Sequence, residues 1–100
     1  MSTRNLKNIS INEFKAFLEL ALCKFIGIKS GHEKWTRSDL RRPIIFQTHI
    51  NPIPEFIVKN NLRILGYSKD DFFDIMEGIK VVKKDAENYI LIEVKKDQTK

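Results

Sequence analysis

The chain has 100 residues, of which 42% are hydrophobic and 31% charged, and a formal net charge of +5. That length supplies one hydrophobic core and no second domain, and the composition is too apolar for a disordered chain. No apolar run approaches the roughly 20 residues needed to span a bilayer, and the opening MSTRNLKNIS lacks the apolar centre of a signal peptide. The single Cys23 cannot form an internal disulfide, so a cytoplasmic location is expected.

Charge is unevenly spread. Residues 24–49 hold six basic side chains (Lys24, Lys29, Lys34, Arg37, Arg41 and Arg42) against two acidic ones, Glu33 and Asp39. Such a patch is the electrostatic footprint of a polyanion partner, although a basic surface also serves solubility alone.

In chain order, Ser10-Ile11-Asn12-Glu13 reads as a capping box, with Ile9 and Phe14 spaced for a hydrophobic staple. Ile11, Phe14, Phe17, Leu18, Ala21 and Leu22 then recur at helical spacing and predict a helix over about 11–23. Cys23 at its end reads as a small buried hydrophobe rather than a nucleophile. Three short strands follow, at 25–29, 32–37 and 43–49, joined by a tight Ser30-Gly31 turn and a longer SDLRR loop.

Period-two alternation puts Ile26, Ile28, Trp35, Ile44 and Phe46 on a helix-packed face. It gathers Lys29, His32 and Lys34, with Gln47 and His49, on a more polar face. A second helix is expected from Pro54, carrying Phe56, Val58, Leu62 and Leu65 and stopping at Gly66. Ser68 caps a short third helix through Asp71, with Phe72, Phe73, Ile75 and Met76 inside it and Gly78 after it. The tail IKVVKKDAENYILIEVKK reads as two strands about an Asp85–Asn88 turn. This order predicts an α+β fold over residues 1–78, helices on one side of an antiparallel sheet, with 79–100 as a hairpin extension of the same domain. An isolated hairpin is marginally stable, so the extension is expected to pack on the domain, a second copy or a partner.

The chemistry concentrates on the histidines. Imidazole titrates near pH 6.5, roughly, which suits proton transfer at neutral pH. His32 follows a glycine and stands among cations that could hold a phosphodiester. RNA brings its own nucleophile, the 2′-hydroxyl, so a proton-transfer group and nearby positive charge suffice for cleavage. No metal is expected, because Cys23 stands nine residues before His32 and no carboxylate pair brackets either histidine. A P-loop, a dinucleotide fingerprint and a zinc finger are equally absent, so no cofactor is expected. His49 is expected to hydrogen-bond the turn at Asn51-Pro52. Trp35 has a surface suited to base stacking, but the alternation points it into the core.

The capped helix, the glycine–histidine turn, HEKW, a third strand ending in His49 and IPEFIVKNNLRILGYSKDDF together resemble the HicA toxins. These are small bacterial mRNA interferases of type II toxin–antitoxin systems. The resemblance covers residues 10–77. It implies a fold similar to the double-stranded-RNA-binding domain, helix, three-stranded antiparallel sheet, helix, and a catalytic histidine at His32. The family's histidine follows a Gly-Ser pair, whereas this chain reads Ser30-Gly31-His32. Lys29 matches a position often basic in such proteins, and His49 matches a secondary histidine. The resemblance implies an endoribonuclease acting on mRNA, with a HicB-like antitoxin covering the His32 face. The basic patch then assigns phosphate contacts to Lys29, Lys34, Arg37, Arg41 and Arg42. Two other classes fit the residues: a non-catalytic RNA-binding module of the same fold, and a structural protein assembling through its hairpin.

Overall fold

The computed structural model describes residues 4–94. Helix α1 (Ile11–Leu20) starts at the predicted capping box: Ser10 Oγ accepts from Glu13 N (3.0 Å), and Glu13 Oε1 accepts from Ser10 N (2.8 Å). It stops three residues short of the expected end. Leu22 takes the left-handed backbone conformation (φ 67°). The N–H groups of Leu22 and Cys23 donate to the carbonyls of Glu19 (3.0 Å) and Leu18 (2.9 Å), the Schellman arrangement that usually employs glycine. Cys23 is buried just beyond the helix. Burial pushes its thiol up to about 11, which leaves it protonated and poorly nucleophilic at neutral pH.

Strands β1 (Lys24–Lys29), β2 (His32–Thr36) and β3 (Ile44–Gln47) form an antiparallel sheet in that order. Two cross-strand rows face the helices, Phe25–Trp35–Ile44 and Ile28–Glu33–Phe46. Ile26 is not in the core. The register slips by one residue between Phe25 and Gly27, so Ile26 is the extra residue of a bulge and Phe25 takes the inner position. Gly27, at φ 135°, supplies a backbone that other residues rarely adopt. Ile28 keeps its expected side but lies on an edge strand, in an open hollow shared with Lys15 and Glu19 of α1, and it is 58% exposed.

The other sheet edge is closed. Asn61 of α2 (Glu55–Leu65) donates to Ile45 O (3.1 Å) and accepts from Ile45 N (3.4 Å), so a side chain satisfies the backbone that a fourth strand would otherwise pair. Helix α2 buries Val58, Asn61, Leu62 and Leu65 and ends at Gly66 in the left-handed conformation (φ 82°). Phe56 stands two residues, about 200° of helical rotation, from Val58. It therefore points away from the core, contrary to expectation, and is 65% exposed.

Helix α3 (Lys69–Met76) has its predicted box, Ser68 with Asp71, both bonds at 3.0 Å. Phe14, Phe17, Phe46 and Phe72 knit the helices to the sheet, with the Phe17 and Phe72 rings 4.7 Å apart and Phe14 edge-on to Phe46 at 5.6 Å. The segment before α1 also joins the core through Leu6 and Ile9. Its Arg4 donates to Asp74 (2.8 Å), Glu77 (3.1 Å) and Asp70 (3.3 Å) of the α3 region.

Strands β4 (Lys80–Asp85) and β5 (Asn88–Glu93) make a separate two-stranded sheet. It packs on the domain, with Val82 in the common core and Lys80 Nζ 2.8 Å from Asp71 Oδ1. Residues 95–100 of the expected extension lie outside the described residues. Among the described residues, three helices and two antiparallel sheets thus make an α+β fold. No helix among the described residues is long and apolar enough to cross a membrane.

Candidate functional site

The site is built on the β1–β2 turn. Ser30 (φ 53°) and Gly31 (φ 76°) both have positive φ, the two-residue turn whose twist matches that of the flanking strands. It sets Lys29 directly opposite His32, which is in turn opposite Gln47 on β3. Cross-strand neighbours of this kind lie about 4.5–5.5 Å apart at Cβ. The next rows on the same outer face are Gly27–Lys34–Ile45 and Lys24–Thr36. Among the described residues of these strands, three lysines and a histidine occupy this face and no carboxylate does, because Glu33 points inward. There it is buried, accepting from Trp35 Nε1 (2.8 Å) with Lys15 Nζ at 3.9 Å.

His32 is exposed, and its Nδ1 lies 3.2 Å from the Ser30 carbonyl oxygen. A carbonyl cannot donate, so in the neutral imidazole this contact favours the tautomer with the proton on Nδ1 and the lone pair on Nε2. His49 lies two residues past the end of β3 rather than on its face. Nor is it needed at the Asn51-Pro52 turn, where Asn51 Oδ1 accepts from Ile11 N (3.0 Å). Instead its ring lies over Gly31: a Cβ there would sit 3.3 Å from His49 Cε1. Thr48 N donates to Gly31 O (2.9 Å) and ties this segment to the turn. Histidines 17 positions apart in the chain therefore converge on one glycine.

Compared with protein-family models, curated proteins and solved structures, the chain gives no match. What the site can do rests on its own geometry.

Arg37 does not belong to it. The alternation that exposes His32 and Lys34 turns Arg37 inward with Glu33 and Trp35, and its side chain is 2% exposed. Its guanidinium donates to Asp39 (2.7 and 3.0 Å), to the Ala21 carbonyl (2.8 Å) and to the Tyr67 hydroxyl (3.0 Å), and the Tyr89 ring lies 4.4 Å away. Burial opposes the charge, but the hydrogen bonds to Asp39 and Tyr67 hold the Arg37 pKa above its ordinary value. The same bond from Arg37 holds Asp39 below the usual carboxylate range. All three guanidinium nitrogens are engaged, so the expected phosphate contact is a structural ion pair. Arg41 and Arg42 are exposed, but they precede β3 at the sheet end opposite His32. Four residues of β2 separate the two ends, about 13 Å at strand rise. Arg42 there lines a shallow hollow with Asn60, Arg63 and Ile64.

Of the expected set, Lys29, His32 and Lys34 come together with Gln47, and His49 stands beside them. The spacing did not flag a groove of about 360 Å³ between the outer sheet face and the start of α2, with His32 and Gln47 at its edge and Ile50 and Phe56 among its walls. The clue in the sequence was that Phe56 and Val58 cannot share one helix face. Among the described residues, no group of three His, Cys, Asp or Glu side chains could hold a metal ion.

Proposed function

We propose that the chain is an endoribonuclease of the HicA type that binds single-stranded mRNA on its outer sheet face and cleaves it without a metal, with His32 as the proton-transfer group. The observation that carries this reading is the Lys29–His32–Gln47 row, where an exposed imidazole stands on a lysine-bearing face to which the described strands contribute no carboxylate. In the reaction the 2′-oxygen attacks the adjacent phosphorus while His32 Nε2 takes its proton. The bond from phosphorus to the 5′-oxygen breaks, and that oxygen receives a proton from His49 or water. The products are a 2′,3′-cyclic phosphate and a 5′-hydroxyl. Lys29 and Lys34 hold the phosphate and stabilise the charge that develops on it.

The order α1-β1-β2-β3-α2 is compatible with the double-stranded-RNA-binding-domain topology that the resemblance implies. A HicB-like antitoxin would neutralise the protein by covering the same face. The exchanged Ser30-Gly31 pair favours one second reading, a non-catalytic RNA-binding module. Incubating the purified chain with single-stranded mRNA in the presence of a chelator separates the two. Fragments ending in 2′,3′-cyclic phosphate are expected, whereas RNA that is bound and left intact would establish the second reading.

A further inference from the structure

Phe56 is the most exposed of the large hydrophobic side chains among the described residues, and nothing in the fold requires it. A single exposed phenylalanine needs no explanation. This one, however, shares a groove with Ile50, Ile57, Gln47 and His32, and Ile50 is itself 38% exposed. At about 360 Å³ the groove sits at the low end of the roughly 300–1,000 Å³ typical of small-ligand sites. It suits one planar group better than a partner helix. Its walls are apolar, and its polar rim is an imidazole and a carboxamide, the latter carrying both donors and an acceptor. The adjoining rows supply Lys29 and Lys34 and no acid. Glu55, next to Phe56 in the chain, is paired with Lys59 at 3.3 Å.

We propose that this groove is a base-binding subsite, in which an unpaired nucleotide next to the cleaved phosphate stacks on Phe56 while Gln47 hydrogen-bonds its edge. The inference rests on the endoribonuclease reading and deepens it by naming the side chains that hold one unpaired base. A base reaches an aromatic side chain in this way only when it is free of a duplex, because paired bases are already stacked on both sides. The apolar wall gives sequence-tolerant stacking, and the carboxamide adds a preference at one position. His32 at the groove's edge then meets the backbone of the nucleotide that the groove holds. The Lys29 and Lys34 ammonium groups lie where the flanking phosphates run, which is the charge complementarity that selects a nucleotide over a neutral apolar ligand.

The test uses the full chain, a labelled single-stranded RNA 12-mer, and a blunt RNA duplex of equal phosphate number. Phe56→Ala should fold as the parent does, since the side chain is exposed. It should bind the single strand roughly 5- to 150-fold more weakly, the value of one base–aromatic stack, with an unchanged salt slope and unchanged duplex binding. Phe56→Trp should restore single-strand affinity, and its added indole fluorescence should be quenched by RNA. Parental single-strand affinity in Phe56→Ala overturns the subsite while leaving the endoribonuclease reading standing. An equal loss for strand and duplex also overturns the subsite, because stacking cannot explain it. A parent that binds neither RNA overturns the endoribonuclease reading and the subsite together.

Discussion

The two ends of β2 carry the same kind of side chain to opposite purposes. At one end Lys29 and Lys34 flank an exposed His32 on the outer face; at the other, Arg37 is buried under Tyr89 and held by Asp39, Tyr67 and the Ala21 carbonyl. Formal charge does not distinguish them. The parity of the strand position does, because an even-numbered residue of β2 meets solvent and an odd-numbered one meets the helices. A cation on the inner side becomes part of the fold, and one on the outer side stays free for a ligand.

The largest expected effect lies at the Arg37 end. Arg37→Met leaves Asp39, the Tyr67 hydroxyl and the Ala21 carbonyl without their donor. Asp39 is 32% exposed, so the cost is that of acceptors left unpaired, about 1–3 kcal/mol, and the melting midpoint should fall by roughly 4 °C or more. A fall of only a degree or two would show that the pair contributes no more than a surface bridge.

Acid should weaken the fold next, at Asp39 and at a second carboxylate in α3, Asp71. Asp39 is held low by its bond from Arg37. Burial would raise Asp71, but the hydrogen bonds from Lys80 and Ser68 hold it low as well. Folding favours the ionised form of both. Their contribution is therefore complete above the unfolded carboxylate value of about 3.9 and is lost as pH falls through the lower folded values. Denaturant midpoints should be flat from pH 7 to pH 5 and drop below about pH 4. Asp39→Asn should be less stable at neutral pH and show a shallower drop. An equally steep acid loss in that variant would assign the effect elsewhere.

The smallest effect is at the free end. Replacing Lys29 and Lys34 together with Ala should leave the melting midpoint unchanged and reduce the slope of log affinity against log salt by about 1.4 for a single strand. A slope equal to the parent's would place the RNA on another surface.

Elements marked by side-chain chemistry were legible in the sequence: both capping boxes, the glycine that ends α2, and the alternation that brought Lys29, His32, Lys34 and Gln47 to one face. What escaped were features set by backbone conformation or by coverage. The end of α1 uses a leucine where glycine is usual, so no residue announced it. The bulge at Ile26 inserts one residue and exchanges which of two apolar neighbours faces inward, and composition is the same either way. Ile28 faces the expected side but stays exposed, sharing an open hollow with Lys15 and Glu19 of α1 rather than packing under it. Arg37 counted toward the basic patch because charge tallies ignore parity, although the strand period already placed it beside Trp35. His49 meets the site through a contact with Gly31 that only tertiary structure creates.

The difference between the two ends is tested at its sharpest by His32→Ala, measured for RNA cleavage in single turnover and for RNA affinity on the same preparation. The cleavage rate should fall by roughly 10²–10⁴-fold, the range for loss of a general acid or base. Affinity and melting midpoint should stay at the parental values, because the side chain is exposed and both lysines remain. Cleavage at the parental rate, or a rate loss matched by an equal loss of binding, would contradict His32 as the proton-transfer group.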